Sequence, residues 1–316
     1  MSDKLLWKHV EIKNYISAVL QYKFLHRPVR WKHWAGRKCL DGKACNELIF
    51  NAILSGKPFV AARFGHTEMI NILAAEQNRI MNKTVQKIDI DLLWQWSGVF
   101  GFDETNIQKF VDLYLRDAKQ VDLLGIWLSK GEEYLLRKYA PKAKLTALKN
   151  LEPYYEEEIP WSRALQDKKV LVIHPFADTI TSQYAKREKL WKNKDILPEF
   201  SLVTFKAVQT LCGETDDRFS TWFDALDYMI EEVKNIDFDV ALIGCGAYGL
   251  PLACAVKEMG KQAIHLGGAL QILFGIIGKR WEEKPFFKTL MNEHWVRPSE
   301  EERPQNAKSV EGGCYW

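Results

Sequence analysis

The sequence predicts an α/β protein: a Rossmann-like, mostly parallel sheet flanked by helices, preceded by a basic, aromatic-rich helical arm. Three observations lead there. Short apolar runs alternate with longer amphipathic ones, the pattern of strand–helix repetition in a parallel sheet. Several of the apolar runs end in polar, glycine-bearing loops. The 316 residues are 47% hydrophobic and 27% charged, a globular profile with length enough for a large core.

Residues 1–50 read as the arm. Within the first 40 residues nine Lys and Arg face only Asp3 and Glu11, while Trp7, Tyr15, Tyr22, Phe24, Trp31 and Trp34 interleave with them. Such a segment suits either a solvated helical arm packed on the body or an anionic membrane surface. The remainder carries no basic stripe, which argues against nucleic acid. Charges interrupt "MSDKLLWKHVEIKNY", so no secretory signal is expected. Six scattered Cys without a C-x-x-C pair suit a reducing cytoplasm. The expected location is therefore cytoplasmic, at the inner face of a membrane if the arm binds one.

The α/β domain is expected over 51–297. "PFVAARF" (58–64) reads as a buried strand, and "HTEMINILAAEQNRIM" opens a helix behind it. "VDLLGIWL" (121–128) and "KLTALKN" (144–150) read as the next strands. The acidic, Pro-bounded stretch 152–160 reads as an internal linker. Beyond it "KVLVIHPF" (169–176), "FSLVTFKAV" (200–208), "FDVALIG" (238–244) and "KQAIHLGG" (261–268) are four further strands, separated by helical periodicity. The tail, 298–316, is polar and irregular but ends in Cys314-Tyr315-Trp316.

Two stretches carry candidate chemistry. Gly244-Cys245-Gly246-Ala247-Tyr248-Gly249 is a literal G-x-G-x-x-G between a strand and a helix, with Pro251 fitting the first helical turn. A nicotinamide enzyme adds an acidic residue near the end of the next strand, and here that place holds His265. The turn therefore reads as a phosphate-approaching or tightly packed one, and NAD is not expected. The second stretch, "AARFGHTEM", runs from a strand into Arg63, Gly65, His66, Thr67 and Glu68. Arg63 suits a diphosphate, Glu68 a divalent cation or sugar hydroxyls, and His66 a metal or a hydrogen bond. Alternatively, Thr67 and Glu68 cap the helix while Arg63 pairs with Glu68. His174 with Asp178, and His265 with Gly267 and Gly268, lie at two further strand ends. Polar loops on one sheet edge imply one crevice.

These residues together resemble the GT-D fold glycosyltransferases, in which a strand leads into Arg-Phe/Ile-Gly-Asp-Gly-Glu. Arg63, Phe64, Gly65 and Glu68 match; His66 stands for the Asp and Thr67 for the second Gly. The resemblance implies a glycosyltransferase that moves a sugar from a nucleotide-sugar donor to a cell-surface polysaccharide or lipid-linked glycan. It implies donor binding by Arg63, Gly65, His174, the Gly244, Gly246, Tyr248 and Gly249 turn, and His265 with Gly267 and Gly268. Glu68, His66 and Asp178 are the expected catalytic residues. Two roles are open for His66: with Glu68 it holds a cation, Mn²⁺ or Mg²⁺, the imidazole favouring Mn²⁺, or it donates to the donor diphosphate and the transfer needs no metal. Trp94 and Trp96 suit either sugar stacking or a place in the core. An oxidoreductase using the glycine turn and a non-catalytic nucleotide-sugar-binding module are the alternatives.

Overall fold

The computed structural model describes residues 2–19, 33–310 and 312–316. Among these described residues nine strands form one sheet: β1 (His33–Trp34), β2 (Arg37–Leu40), β3 (Phe59–Arg63), β4 (Leu123–Ile126), β5 (Lys144–Ala147), β6 (Lys169–His174), β7 (Ser201–Lys206), β8 (Val240–Ile243) and β9 (Gln262–His265). Their order is β1-β2-β5-β4-β3-β9-β8-β6-β7. Only the short β1 runs antiparallel to its neighbour; all other pairings are parallel.

The strands alternate their side chains between two cores. Val60 and Ala62 of β3, Leu171 and Ile173 of β6, and Ala241 and Ile243 of β8 enter one core. Phe59 and Ala61, Val170 and Val172, and Val240 and Leu242 enter the other. A strand buried on both faces needs apolar residues at every position, which is why these runs show no polar alternation. Helices His66–Met81, Glu104–Asp117, Trp222–Lys234 and Gly249–Glu258 cover the first face. Gly42–Ser55 and Ala177–Tyr184 contribute to the second.

All seven expected strands are present, each shorter than its apolar run. The sheet also takes in β1 and β2, ahead of the boundary expected at residue 51. Arg37-Lys38-Cys39-Leu40 lies near the sheet edge with half its residues polar, so it gives no apolar run. The 152–160 stretch is a packed crossover between the two halves of the sheet. Tyr154 is buried within it and stacks on Trp191 at 5.8 Å.

The first helix, Asp3–Val19, buries Leu6, Trp7 and Val10, with Trp7 edge-on to Tyr134 at 5.0 Å. The rest of the basic, aromatic stretch, residues 20–32, lies outside the described residues. No described helix is long and apolar enough to cross a membrane. The tail returns to the body, where Val310, Cys314 and Trp316 are buried.

Candidate functional site

β3, β9, β8 and β6 are consecutive in the sheet, so their carboxyl ends bring Arg63, His265, Gly244 and His174 to one edge. The chain leaves β8 toward β9 but leaves β6 in the opposite direction, toward β7. Open α/β sheets bind ligands where the winding reverses in this way. A crevice opens there between His174, Phe176, Gly244, Gly246 and Gly268, closed by Trp96, Gln271, Tyr315 and Trp316. Its free volume is about 60 Å³. That is room for roughly two waters.

The glycine turn is shaped by the protein itself. A Cβ on Gly244 would lie 2.7 Å from both the Gly267 carbonyl and the His174 ring. Gly246 adopts φ 57°, a conformation that glycine tolerates best. A Cβ on Gly249 would overlap the His265 imidazole, which is buried beneath the turn. His265 Nδ1 lies 3.3 Å from the Ile243 carbonyl, and burial, with the Arg63 charge second, pushes its pKa down to about 3. The residue standing where a dinucleotide enzyme keeps its acid is thus a neutral packing group. Tyr248, expected to meet the donor, has its ring buried and stacked on Trp222 at 5.0 Å, outside the crevice lining. Its spacing within G-x-G-x-x-G could not reveal that it points into the core.

Arg63 lies over Gly267, where a Cβ would come within 3.5 Å of the side chain. Its guanidinium also sits 4.6 Å from the Trp127 ring. Trp127 Nε1 in turn donates to the Phe64 carbonyl at 2.8 Å, which fixes the indole. No ion pair joins Arg63 to Glu68, and no hydrogen bond engages the guanidinium among the described residues. Burial lowers its pKa, opposed by Tyr315, Glu152 and Glu68. Gly65 is the cap residue of the His66–Met81 helix, with no side-chain cap bond. A Cβ there would overlap the Glu68 carboxylate, which folds back beneath it. Burial raises the Glu68 pKa, while its own backbone N–H, Arg63 and Ser97 act against that. His66 is exposed, its ring 5.5 Å from Trp127. Among the described residues no three His, Cys, Asp or Glu side chains are grouped to hold a metal.

His174 is buried on the crevice wall, and its Nδ1 accepts the Phe176 N–H at 2.9 Å. Burial pushes its pKa down to about 3, so the ring is neutral and its proton is on Nε2. Asp178 is on the surface, paired with Lys206 at 2.9 Å. The amides that open the Ala177–Tyr184 helix are capped by Glu302, whose carboxylate accepts Asp178 N–H at 2.8 Å and Thr179 N–H at 3.3 Å. Asp178 is therefore not brought to the crevice. The structure does bring Arg63, Gly65, Glu68, His174, Gly244, Gly246, His265, Gly267 and Gly268 into one neighbourhood. Trp96 lines the crevice, whereas Trp94 donates to the Glu214 carbonyl at 2.8 Å.

Sequence reasoning missed three groups. Glu152 faces Arg63 from the crossover; burial raises its pKa, opposed by the Tyr154 hydroxyl and Arg63. Gln271 is fully buried on the crevice wall, and its Oε1 has no partner among the described residues. Tyr315 packs against Gly268, and its hydroxyl accepts from Arg280 at 3.1 Å. The acidic composition around Glu152 was visible beforehand and read as a linker, and the aromatic end of the tail was visible without its place at the crevice.

Fold and crevice together define a doubly wound α/β protein with a glycine-lined crevice at the winding reversal and Arg63 at a neighbouring strand end. The GT-D fold-like domain family matches residues 40–273, and the chain belongs to that family. The family points to glycosyltransferase-type function. Among solved structures, the chain is similar to a selenomethionine-substituted domain of unknown function 1792. That similarity has 12% identity and a TM-score of 0.44, covering 95% of this chain and 96% of that one. No curated protein matches.

Proposed function

We propose that the protein is a nucleotide-sugar-dependent glycosyltransferase whose donor diphosphate lies against Arg63 and the Gly244–Gly246 and Gly267–Gly268 turns. The observation that carries this reading is Arg63: a guanidinium at the carboxyl edge of a parallel sheet, without an ion-pair partner among the described residues and bordered by glycines. Leaving a cation partly desolvated and unpaired costs stability, so it suits an anion that arrives as ligand. His174 Nε2–H is a second, neutral donor to the same phosphates. Both would stabilise the charge that develops as the nucleoside diphosphate departs.

His174 cannot serve as the acceptor base, because Nε2 already holds the proton and Nδ1 is engaged by Phe176. Glu68 is the carboxylate we assign to activating the acceptor hydroxyl, its basicity raised by burial. The orphan Gln271 Oε1 suits a ribose hydroxyl or a base N–H. Among the described residues a cation would find Glu68 and exposed His66, the rest of its ligands coming from the donor. Two such groups fit a metal poorly, so no step is assigned to one. The acceptor is proposed as a polysaccharide or lipid-linked glycan on the cytoplasmic side.

Thermal denaturation with UDP, GDP, CDP, CMP or NAD⁺, each with Mn²⁺, Mg²⁺ or EDTA, tests the reading. A ligand that binds only the folded state raises the midpoint. The expected result is stabilisation by one nucleoside diphosphate, lost in Arg63→Ala. Stabilisation by NAD⁺ alone, or donor binding without sugar transfer or slow donor hydrolysis, would overturn it.

A further inference from the structure

The first helix carries apolar residues on two sides. Leu6, Trp7 and Val10 are buried against the body, whereas Leu5, Ile12 and Ile16 are 56%, 60% and 51% exposed. At 3.6 residues per turn, Leu5, Ile12 and Ile16 fall within about 40° of one another, roughly opposite the buried row. Lys4 and Lys8 are exposed on the same helix. Lys13, by contrast, turns to the body and pairs with Glu133 at 2.7 Å.

The helix has a fixed direction relative to the crevice. Asp3 pairs with Lys138 at 2.7 Å, while Lys13 pairs with Glu133 at 2.7 Å. It therefore runs antiparallel to the Glu132–Lys138 helix, which begins just beyond the carboxyl end of β4. The aliphatic row thus climbs toward the sheet edge that carries Arg63, and Trp127, which contacts both Arg63 and His66, lies in the intervening loop.

We infer that this row is a membrane-docking face that seats the protein on an anionic bilayer. Aliphatic side chains with exposed Lys4 and Lys8 to one side, against the exposed acid Glu11, match the boundary between acyl chains and anionic headgroups. The first 40 residues hold nine Lys and Arg against two acidic residues, within a chain of net charge +3. The crevice edge then faces a surface from which a lipid-linked acceptor can be reached.

The test is co-sedimentation of the full chain with vesicles of phosphatidylcholine alone, or of equal parts phosphatidylcholine and phosphatidylglycerol. The wild type should pellet with the anionic vesicles and not with the neutral ones. Partition should fall about tenfold in Ile12→Gln/Ile16→Gln, and rising salt should weaken it. Both positions are exposed, so an unchanged melting temperature will show that the variant is folded. No binding, equal binding to both vesicle types, or equal binding by variant and wild type would overturn the inference. So would a concentration-dependent dimer that the double variant abolishes. Binding is read without donor or acceptor, so it can fail while the transferase reading stands.

Discussion

Gly249 and His265 interlock: a side chain on the last glycine of the G-x-G-x-x-G turn would occupy the volume of the imidazole that ends β9. The glycine is required by a neighbouring strand, whatever ligand the turn meets. Gly249→Ala should therefore destabilise the protein by about 1–3 kcal/mol, the usual cost of overpacking. His265→Ala opens the space and should cost a similar amount alone. In the double variant the losses should be clearly less than additive, because each change relieves the other. Urea unfolding of the four proteins checks this; strict additivity would show that the two residues do not share the space.

Arg63 gives the opposite pattern, large in function and small in stability. It has the Trp127 ring beside it but forms no ion pair among the described residues. Arg63→Ala should lower kcat/KM for the donor by about 100-fold, near 2.7 kcal/mol. Its unfolding free energy should change by no more than about 1 kcal/mol, the value of one cation–π contact. Arg63→Lys should recover little, since an ammonium lacks the planar fork that fits a phosphate. Steady-state kinetics beside thermal denaturation separates the two effects.

What the sequence revealed was set by the environment of each residue. Strands buried on both faces must be apolar throughout, so β3, β4, β6, β8 and β9 stood out. β2 lies near the edge and includes Arg37, which donates to three carbonyls, those of Leu136, Ala140 and Ala143, so its role in the sheet left no apolar signal. The crevice was legible where strand ends are polar, as at Arg63 and His174. It was illegible where the wall comes from distant segments. Tyr315 reaches Gly268, Glu302 caps the helix beginning at Ala177, and Glu152 faces Arg63, yet no local pattern records such encounters. Direction was equally hidden: Tyr248 and Asp178 stand in promising motifs, but one turns into the core and the other onto the surface.

The buried histidines set a pH signature. His174 is pushed from its ordinary 6.5 down to about 3, so the unfolded chain takes up its proton first as the medium is acidified. More protons on the unfolded state means that stability falls with pH. The contribution of His174 is complete above its ordinary pKa and is lost progressively toward the shifted one. Asp117 and Glu132 act in the other sense. Burial raises Asp117 to about 6 and Glu132 to about 7, so the folded state holds those protons and gains stability on acidification. The whole-protein profile mixes both signs, and a variant isolates one. The stability difference between wild type and His174→Asn should be flat above about pH 7 and shrink by about 1.4 kcal/mol per unit below pH 6. Urea midpoints across that range provide the check.

The tail supplies the last prediction. A crevice of about 60 Å³ cannot admit a nucleoside diphosphate, and the groups that close it include Tyr315 and Trp316. Ligand pockets of this class run to roughly 300 Å³ or more. The sheet edge beneath is held by strand hydrogen bonds, whereas the tail is held by separable contacts. Arg280 bonds the Tyr315 hydroxyl, Gln271 bonds the Tyr315 carbonyl at 3.1 Å, and the Trp316 ring meets Phe176 at 6.0 Å. The element that gives way should therefore be the tail. When the nucleoside diphosphate binds, backbone amides of residues 312–316 should exchange with deuterium faster, while those of β6 and β8 slow. Tyr315→Ala should weaken the tail's hold and so lower the donor KM, the energy of displacement having already been removed. If the tail amides become more protected with donor bound, the segment closes over the ligand instead, and Tyr315→Ala should raise the KM.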